Sequence, residues 1–238
     1  MRPAFYSLPQ GGWRDYVTVL HLPYTAWHLS YVVVGGCLAA EVSWGRLGLT
    51  VCAFFLAMGV GAHALDEFAG RPLQTTIPSL VLIVAAVTSV LAACAIGLAV
   101  AVTFSLWLVP LIAAGAFLVP AYNLELFSGR FHSDAWFALA WGAFPVVTGY
   151  VACAGTITAT VLIAAVWATF LSLAQRRLST PVRQARRTIV AVTGELELAD
   201  GTRKAVTREL LVAAPEAALR LLSAATILIA AALVAFRL

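Results

Sequence analysis

Two stretches of this chain, residues 72–124 and 135–175, contain no Asp, Glu, Lys or Arg. A helix crosses the apolar core of a bilayer in about 20 mainly apolar residues. Each stretch is therefore long enough for two crossings joined by a tight turn. Charged residues make up only 11% of the chain, against about 25% in soluble domains, so a water-soluble fold has no means of hiding this much apolar sequence. In lipid the backbone must satisfy its own hydrogen bonds, as a helix or a closed barrel. Barrel strands alternate polar and apolar residues, and residues 77–93 do not. The predicted class is all-α: a polytopic transmembrane helical bundle forming one domain over residues 1–238.

Seven crossings are predicted, at roughly 19–40, 47–65, 77–95, 98–120, 135–151, 156–174 and 217–236. Gly97 is expected to mark the third reversal, and Gly149 and Gly155 to bracket the fifth. Basic residues favour the cytoplasmic side. With the amino terminus inside, Arg2, Arg14, Arg71, Arg130, Arg220 and the basic segment 176–208 all lie in the cytoplasm, leaving Arg46 and Arg237 outside. The expected location is the cell membrane, with the carboxy terminus on the opposite side. The first apolar run follows Arg14-Asp15 and contains His21 and Pro23, unlike a cleavable signal. Cys37, Cys52, Cys94 and Cys153 sit singly in apolar segments and suggest neither disulfides nor a zinc site. The net charge of +4 follows from this topology and points to no nucleic-acid partner.

Three cytoplasmic loops carry most of the polar residues: 61–73, 121–134 and about 175–216. In the third, Pro181 is expected to start a new helical turn capped by Ser179 or Thr180. Asp200-Gly201 between two alternating stretches predicts a β-hairpin insertion over 188–210.

The loops hold the candidate chemistry. In a helix, His63 and Glu67 share a face, with Asp66 beside them. They are either ligands for a divalent cation or a solvated helix end paired to Arg71. His21 and His28 are two turns apart on one helix face, about 10.5 Å along the axis, and suit one cavity wall better than one metal ion. The second loop offers Tyr122, Asn123, Glu125, Arg130, His132 and Asp134. The topology places all four histidines in the cytoplasmic half. Arg176, Arg177, Arg183, Arg186 and Arg187 either meet anionic lipid headgroups or turn inward to clamp a phosphate.

The order of these motifs resembles the UbiA superfamily of intramembrane prenyltransferases. His21-Leu-Pro-Tyr-Thr-Ala-Trp27, running on to Val34-Gly-Gly-Cys-Leu-Ala39, is similar to that family's opening helix. Ala62-His63-Ala-Leu-Asp66, with Arg71-Pro72 following, is similar to its first Asp-rich motif, of which only the last Asp remains. The arginine-rich loop stands where the family has its second Asp-rich motif, and about seven helices stand where it has nine. The resemblance implies a UbiA-like bundle acting on an isoprenoid or prenyl diphosphate lipid at a cytoplasm-facing cavity. Asp66, Glu67 and Tyr122 are then the catalytic candidates, with Mg²⁺ held by His63, Asp66 and Glu67. Arg71, Asn123, Arg130, Arg176, Arg177 and Arg183 are then the substrate-binding candidates, the arginines replacing missing carboxylates.

Two other readings stand beside it. A transition-metal enzyme would draw zinc, iron or manganese ligands from His21, His28, His63, Glu67, His132 and Asp134, donors that suit these ions better than magnesium. A non-catalytic subunit would bind lipid, or dock a protein partner through the hairpin.

Overall fold

The apolar stretches form helices, and the polar loops gather at one end of the bundle. The computed structural model describes residues 2–238. A short helix α1 (Trp13–Val19) leads into α2 (Leu22–Cys37). Then follow α3 (Trp44–Gly70), α4 (Ser79–Thr103), α5 (Leu108–Asn123), α6 (Asp134–Ala154) and α7 (Ala159–Arg187). A hairpin of β1 (Glu195–Glu197) and β2 (Arg203–Ala205) precedes α8 (Arg208–Arg237).

Helices α3, α4, α6, α7 and α8 have the length and apolarity to cross a membrane. Helices α2 and α5 have 16 residues each, or about 24 Å at 1.5 Å per residue, less than a hydrocarbon core of about 30 Å. Seven segments were expected to cross, and five have that length and apolarity. The outer faces suit lipid: Leu80, Val84, Val87 and Leu91 of α4, and Ile163, Val166 and Phe170 of α7, are exposed. In water such patches would drive aggregation. This is a multi-pass helical membrane protein.

Helix α2 lies at the centre, against α3, α6 and α8, while α4 and α5 pack outside α3. The α2–α6 contact is the tightest. A Cβ on Gly35 would strike the Val146 carbonyl, and one on Gly149 the Val32 carbonyl, so two backbones meet where only glycine fits. Around this contact pack Trp27, Tyr31, Val32, Val146 and Val161. The Trp27 indole donates to the Tyr31 hydroxyl at 2.7 Å.

The structure departs from the expected elements in five places. Gly149, expected beside the fifth reversal, lies inside α6, where its missing side chain serves the contact with α2. Gly97 lies inside α4, and the reversal falls at 104–107. A Cβ on Gly97 would crowd Ile112 of α5, so this glycine serves helix packing. Pro181 starts no new helix, because α7 runs unbroken through it. The Ser179 and Thr180 hydroxyls, instead of capping, donate to the Arg176 carbonyl at 3.2 and 2.8 Å. Such hydroxyl bonds help membrane helices tolerate proline. The hairpin forms around Asp200-Gly201, but its strands are three residues each, paired Glu195↔Ala205 and Glu197↔Arg203. His21 is not within a helix: it precedes α2 in the left-handed conformation, φ 47°.

At the end of the bundle opposite the polar loops, two arginines tie helix ends together. Arg46 donates to the Ala152 and Cys153 carbonyls, and Arg237 to those of Cys37 and Ala39. A guanidinium at a helix carboxy terminus meets carbonyls that lack helical partners.

Candidate functional site

The polar end of the bundle encloses a cavity of ≈ 340 Å³. Its walls come from the start of α2, the ends of α3 and α5, the start of α6 and the second half of α7. Residues 3–6 form one further wall. All four histidines line it, together with Asp66, Tyr122 and Asn123.

Helix α7 carries the basic wall. Its buried stripe, Val161, Ala165, Ala168, Ser172, Gln175, Ser179 and Val182, repeats every three to four residues and turns from apolar to polar along the helix. Beside it Arg176, Arg183 and Arg187 all line the cavity. Their spacings of seven and four residues put them on one face of a continuous helix. Arg176 also donates to Asp134 at 3.0 Å, and Arg187 to the Pro3 carbonyl at 3.2 Å. Among the described residues the Arg183 guanidinium bonds only to the Thr180 hydroxyl, at 3.2 Å.

The histidines contribute in different ways. His28, 2% exposed, faces the Trp141 carbonyl through Nδ1 at 2.8 Å, and its Nε2 lies 3.5 Å from the Gln175 amide nitrogen. Trp141 sits in a π-helical stretch of α6, residues 139–143, the kind of widened turn that often marks functional sites. A second π-helical stretch, Phe55–Ala62 of α3, delivers His63. His63 Nδ1 meets the Gly59 carbonyl at 3.2 Å. The His132 ring stacks on Tyr122 at 4.5 Å, and its Nδ1 lies 3.1 Å from the Tyr122 carbonyl and 3.9 Å from Glu125. Glu125 thus neighbours His132 and forms no ion pair with Arg130 among the described residues.

Several candidates serve the scaffold instead. Glu67, 1% exposed, accepts from the Leu73 amide, the Thr75 amide and the Thr75 hydroxyl at 2.8–2.9 Å. Its oxygens are occupied with holding the 71–78 loop, and it does not line the cavity. Arg71 donates to the Ile77 carbonyl at 2.6 Å and to the Ser79 hydroxyl at 2.9 Å, bracing the same loop. Arg130 is exposed and outside the cavity. Arg177, its side chain 79% exposed, approaches Asp134 from outside. Arg186 chelates Glu216 of α8. Asp66 of α3 lines the cavity, as does Glu125, and has no hydrogen-bond partner among the described residues. Asn123 lines the cavity and donates to the Val119 carbonyl.

These positions do not assemble a metal site. Among the described residues no three His, Cys, Asp or Glu side chains come together as ligands. Glu67 and Asp134 are engaged elsewhere, and the His21 and His63 rings lie parallel, 4.2 Å apart, instead of converging on a point. The residues fit neither the magnesium set His63, Asp66 and Glu67 nor the transition-metal set of histidines and Asp134.

Tyr6, Tyr24 and Gln175 also line the cavity, although the sequence reading assigned them no role. Gln175 was detectable as an amide closing a charge-free apolar run. Nothing in the sequence ties Tyr6 to α2. Beyond Trp141 lies a second cavity of ≈ 110 Å³, apolar, lined by Phe54, Met58, Val90, Leu111 and Ile112 among others. Trp141 borders both. Comparison with family models, characterised proteins and solved structures returns no match to this chain.

Proposed function

We propose that this protein binds an amphiphile with a phosphate or diphosphate head and an isoprenoid-type tail, with the cavity opening toward the cytoplasm. The observation that carries this reading is the basic face of α7. Arg176, Arg183 and Arg187 line one wall of a polar cavity in a membrane protein. Arginine suits phosphate because its planar donors bind oxygens in pairs. The apolar cavity across Trp141, at ≈ 110 Å³, has room for only a small part of a hydrocarbon tail. The similarity to intramembrane prenyltransferases and the bias of basic residues toward this end agree with the reading.

If the bound molecule reacts, departure of its diphosphate leaves negative charge on oxygen, which the three guanidinium groups would stabilise. Asp66 and the Tyr122 hydroxyl, the latter buried without a partner among the described residues, would then meet a second reactant.

The test is thermal unfolding of the detergent-purified protein with geranylgeranyl diphosphate or geranylgeraniol, without added metal. Ligand binding raises the unfolding temperature by mass action. The diphosphate is expected to stabilise the protein and the alcohol to do so far less, with Arg183→Ala removing the difference. Equal shifts for both lipids, or an undiminished shift in Arg183→Ala, would overturn the proposal.

A further inference from the structure

Three features of His21 bear on what the cavity can bind. Its backbone is left-handed, φ 47° and ψ 44°, a conformation costly for a residue with a side chain and often found at functional sites. Its Nδ1 is bonded to the Tyr6 hydroxyl at 2.8 Å. Its Nε2 is buried and has no partner among the described residues, although the ring lines the cavity.

The hydrogen bonding fixes which nitrogen carries the proton. The Tyr6 hydroxyl bonds to His21 alone among the described residues. If Tyr6 donates, its proton is satisfied and Nδ1 accepts. A neutral imidazole then carries its hydrogen on Nε2. The reverse arrangement strands both the phenol proton and the Nε2 lone pair. Burial, with Tyr24 close by, pushes the Tyr6 phenol well above its usual range, so it keeps a proton to donate. His63 stacks on the His21 ring with centroids 4.2 Å apart and planes 14° from parallel, holding the imidazole plane. A hydrogen-bonded, stacked ring has little freedom to turn Nε2 away.

We propose that His21 presents an Nε2–H donor to the head of the bound molecule, with Tyr6 as the positioning residue that sets its tautomer. This rests on the phosphate-amphiphile reading and adds a specificity element from outside the basic wall. The arginines supply charge, which any anion satisfies, whereas a single oriented donor rewards a head that places an oxygen at one point. A site built to hydrogen-bond a ligand group discriminates strongly against ligands lacking it. Residues 3–6 thereby become part of the recognition site.

The experiment combines ¹⁵N NMR of histidine-labelled protein with binding of geranylgeranyl diphosphate by calorimetry. The variants are Tyr6→Phe, His21→Gln and His21→Leu, with thermal unfolding to confirm that each folds. The His21 signals, identified by their loss in His21→Gln, are expected to show hydrogen on Nε2 in the wild type and a mixture of tautomers in Tyr6→Phe. Loss of a hydrogen bond to a charged oxygen should weaken binding roughly tenfold or more in folded His21→Leu. His21→Gln, whose amide reaches a similar point, should recover most of it. Binding by the wild type with undiminished affinity in His21→Leu would overturn the proposal while leaving the phosphate reading intact. So would hydrogen on Nδ1. Failure of the wild type to bind the diphosphate at all would overturn both.

Discussion

The imidazole rings of His21 and His63 stack 4.2 Å apart, joining the turn before α2 to the cavity end of α3. The contact lies where two helix ends, a left-handed residue and the wall formed by residues 3–6 meet. Helix positions alone do not create it, because His21 precedes α2. It depends on the turn that separates α1 from α2, and that turn is itself anchored nearby by the Thr25 hydroxyl donating to the Leu20 carbonyl at 2.6 Å.

The close crossing of α2 and α6 makes Gly35 and Gly149 sensitive. Alanine at either must force the two backbones apart, since carbonyls occupy the Cβ positions. Overpacking of this kind costs about 1–3 kcal/mol. Gly45 of α3 has nothing within 4 Å of its Cβ position, and Gly45→Ala should be neutral or stabilise by about 0.5–1 kcal/mol. Denaturant titration in detergent will rank the three variants. Unaltered stability in Gly149→Ala would contradict the backbone contact.

Glu67→Gln separates a scaffold role from a chemical one. The carboxylate accepts three hydrogen bonds from Leu73 and Thr75, and an amide cannot accept all of them. A loss of about 1.5–3 kcal/mol in stability is expected, with lipid affinity retained in the folded protein. Lost affinity at unchanged stability would return Glu67 to the cavity.

Asp15 should make the protein acid-sensitive. Burial opposes its charge, but the Thr76 hydroxyl and amide and the Gly11 amide outweigh this and hold its carboxyl below the usual 3.8. A carboxyl lowered on folding contributes stability that is full above its unfolded value and lost as pH falls through the folded one. Thermal unfolding from pH 6 downward should therefore show a decline below about pH 4 that is smaller in Asp15→Asn. Identical pH profiles for the two proteins would refute it.

Arg186 and Glu216 clamp α7 to α8 with side chains only 12% and 9% exposed. Glu216→Ala leaves a buried guanidinium without its counter-charge, at a cost of about 3–5 kcal/mol. Replacing both, Arg186→Met with Glu216→Leu, should recover most of that stability. A double variant as unstable as Glu216→Ala would show that the pair does more than compensate its own burial.

Much of the architecture was legible in the sequence because lipid imposes one rule on every segment. Charge-free runs long enough to cross must become helices, and Asp200-Gly201 between alternating stretches must turn. The reversal after Gly97 was misplaced because glycine also serves close packing, here against Ile112. Arg176 and Arg183 stood among the substrate-binding candidates, but Arg187 did not, because Pro181 suggested a break. Only an unbroken α7 puts Arg176, Arg183 and Arg187 on one face. Glu67 and Arg71 were read as chemistry because a sequence shows charge but not the 71–78 loop that consumes it.

The sequence by itself determined the solvent this protein lives in, the helical class and the end of the bundle where polar residues collect. Those properties are sums over local composition. The tertiary structure alone decided which polar groups share a cavity and which are satisfied elsewhere. Tyr6 reaches His21, Trp141 offers its carbonyl to His28, and Glu67 turns to its own loop. Such pairings depend on hydrogen-bond distances of about 3 Å between distant segments, and only helix crossings and loop paths in three dimensions set them.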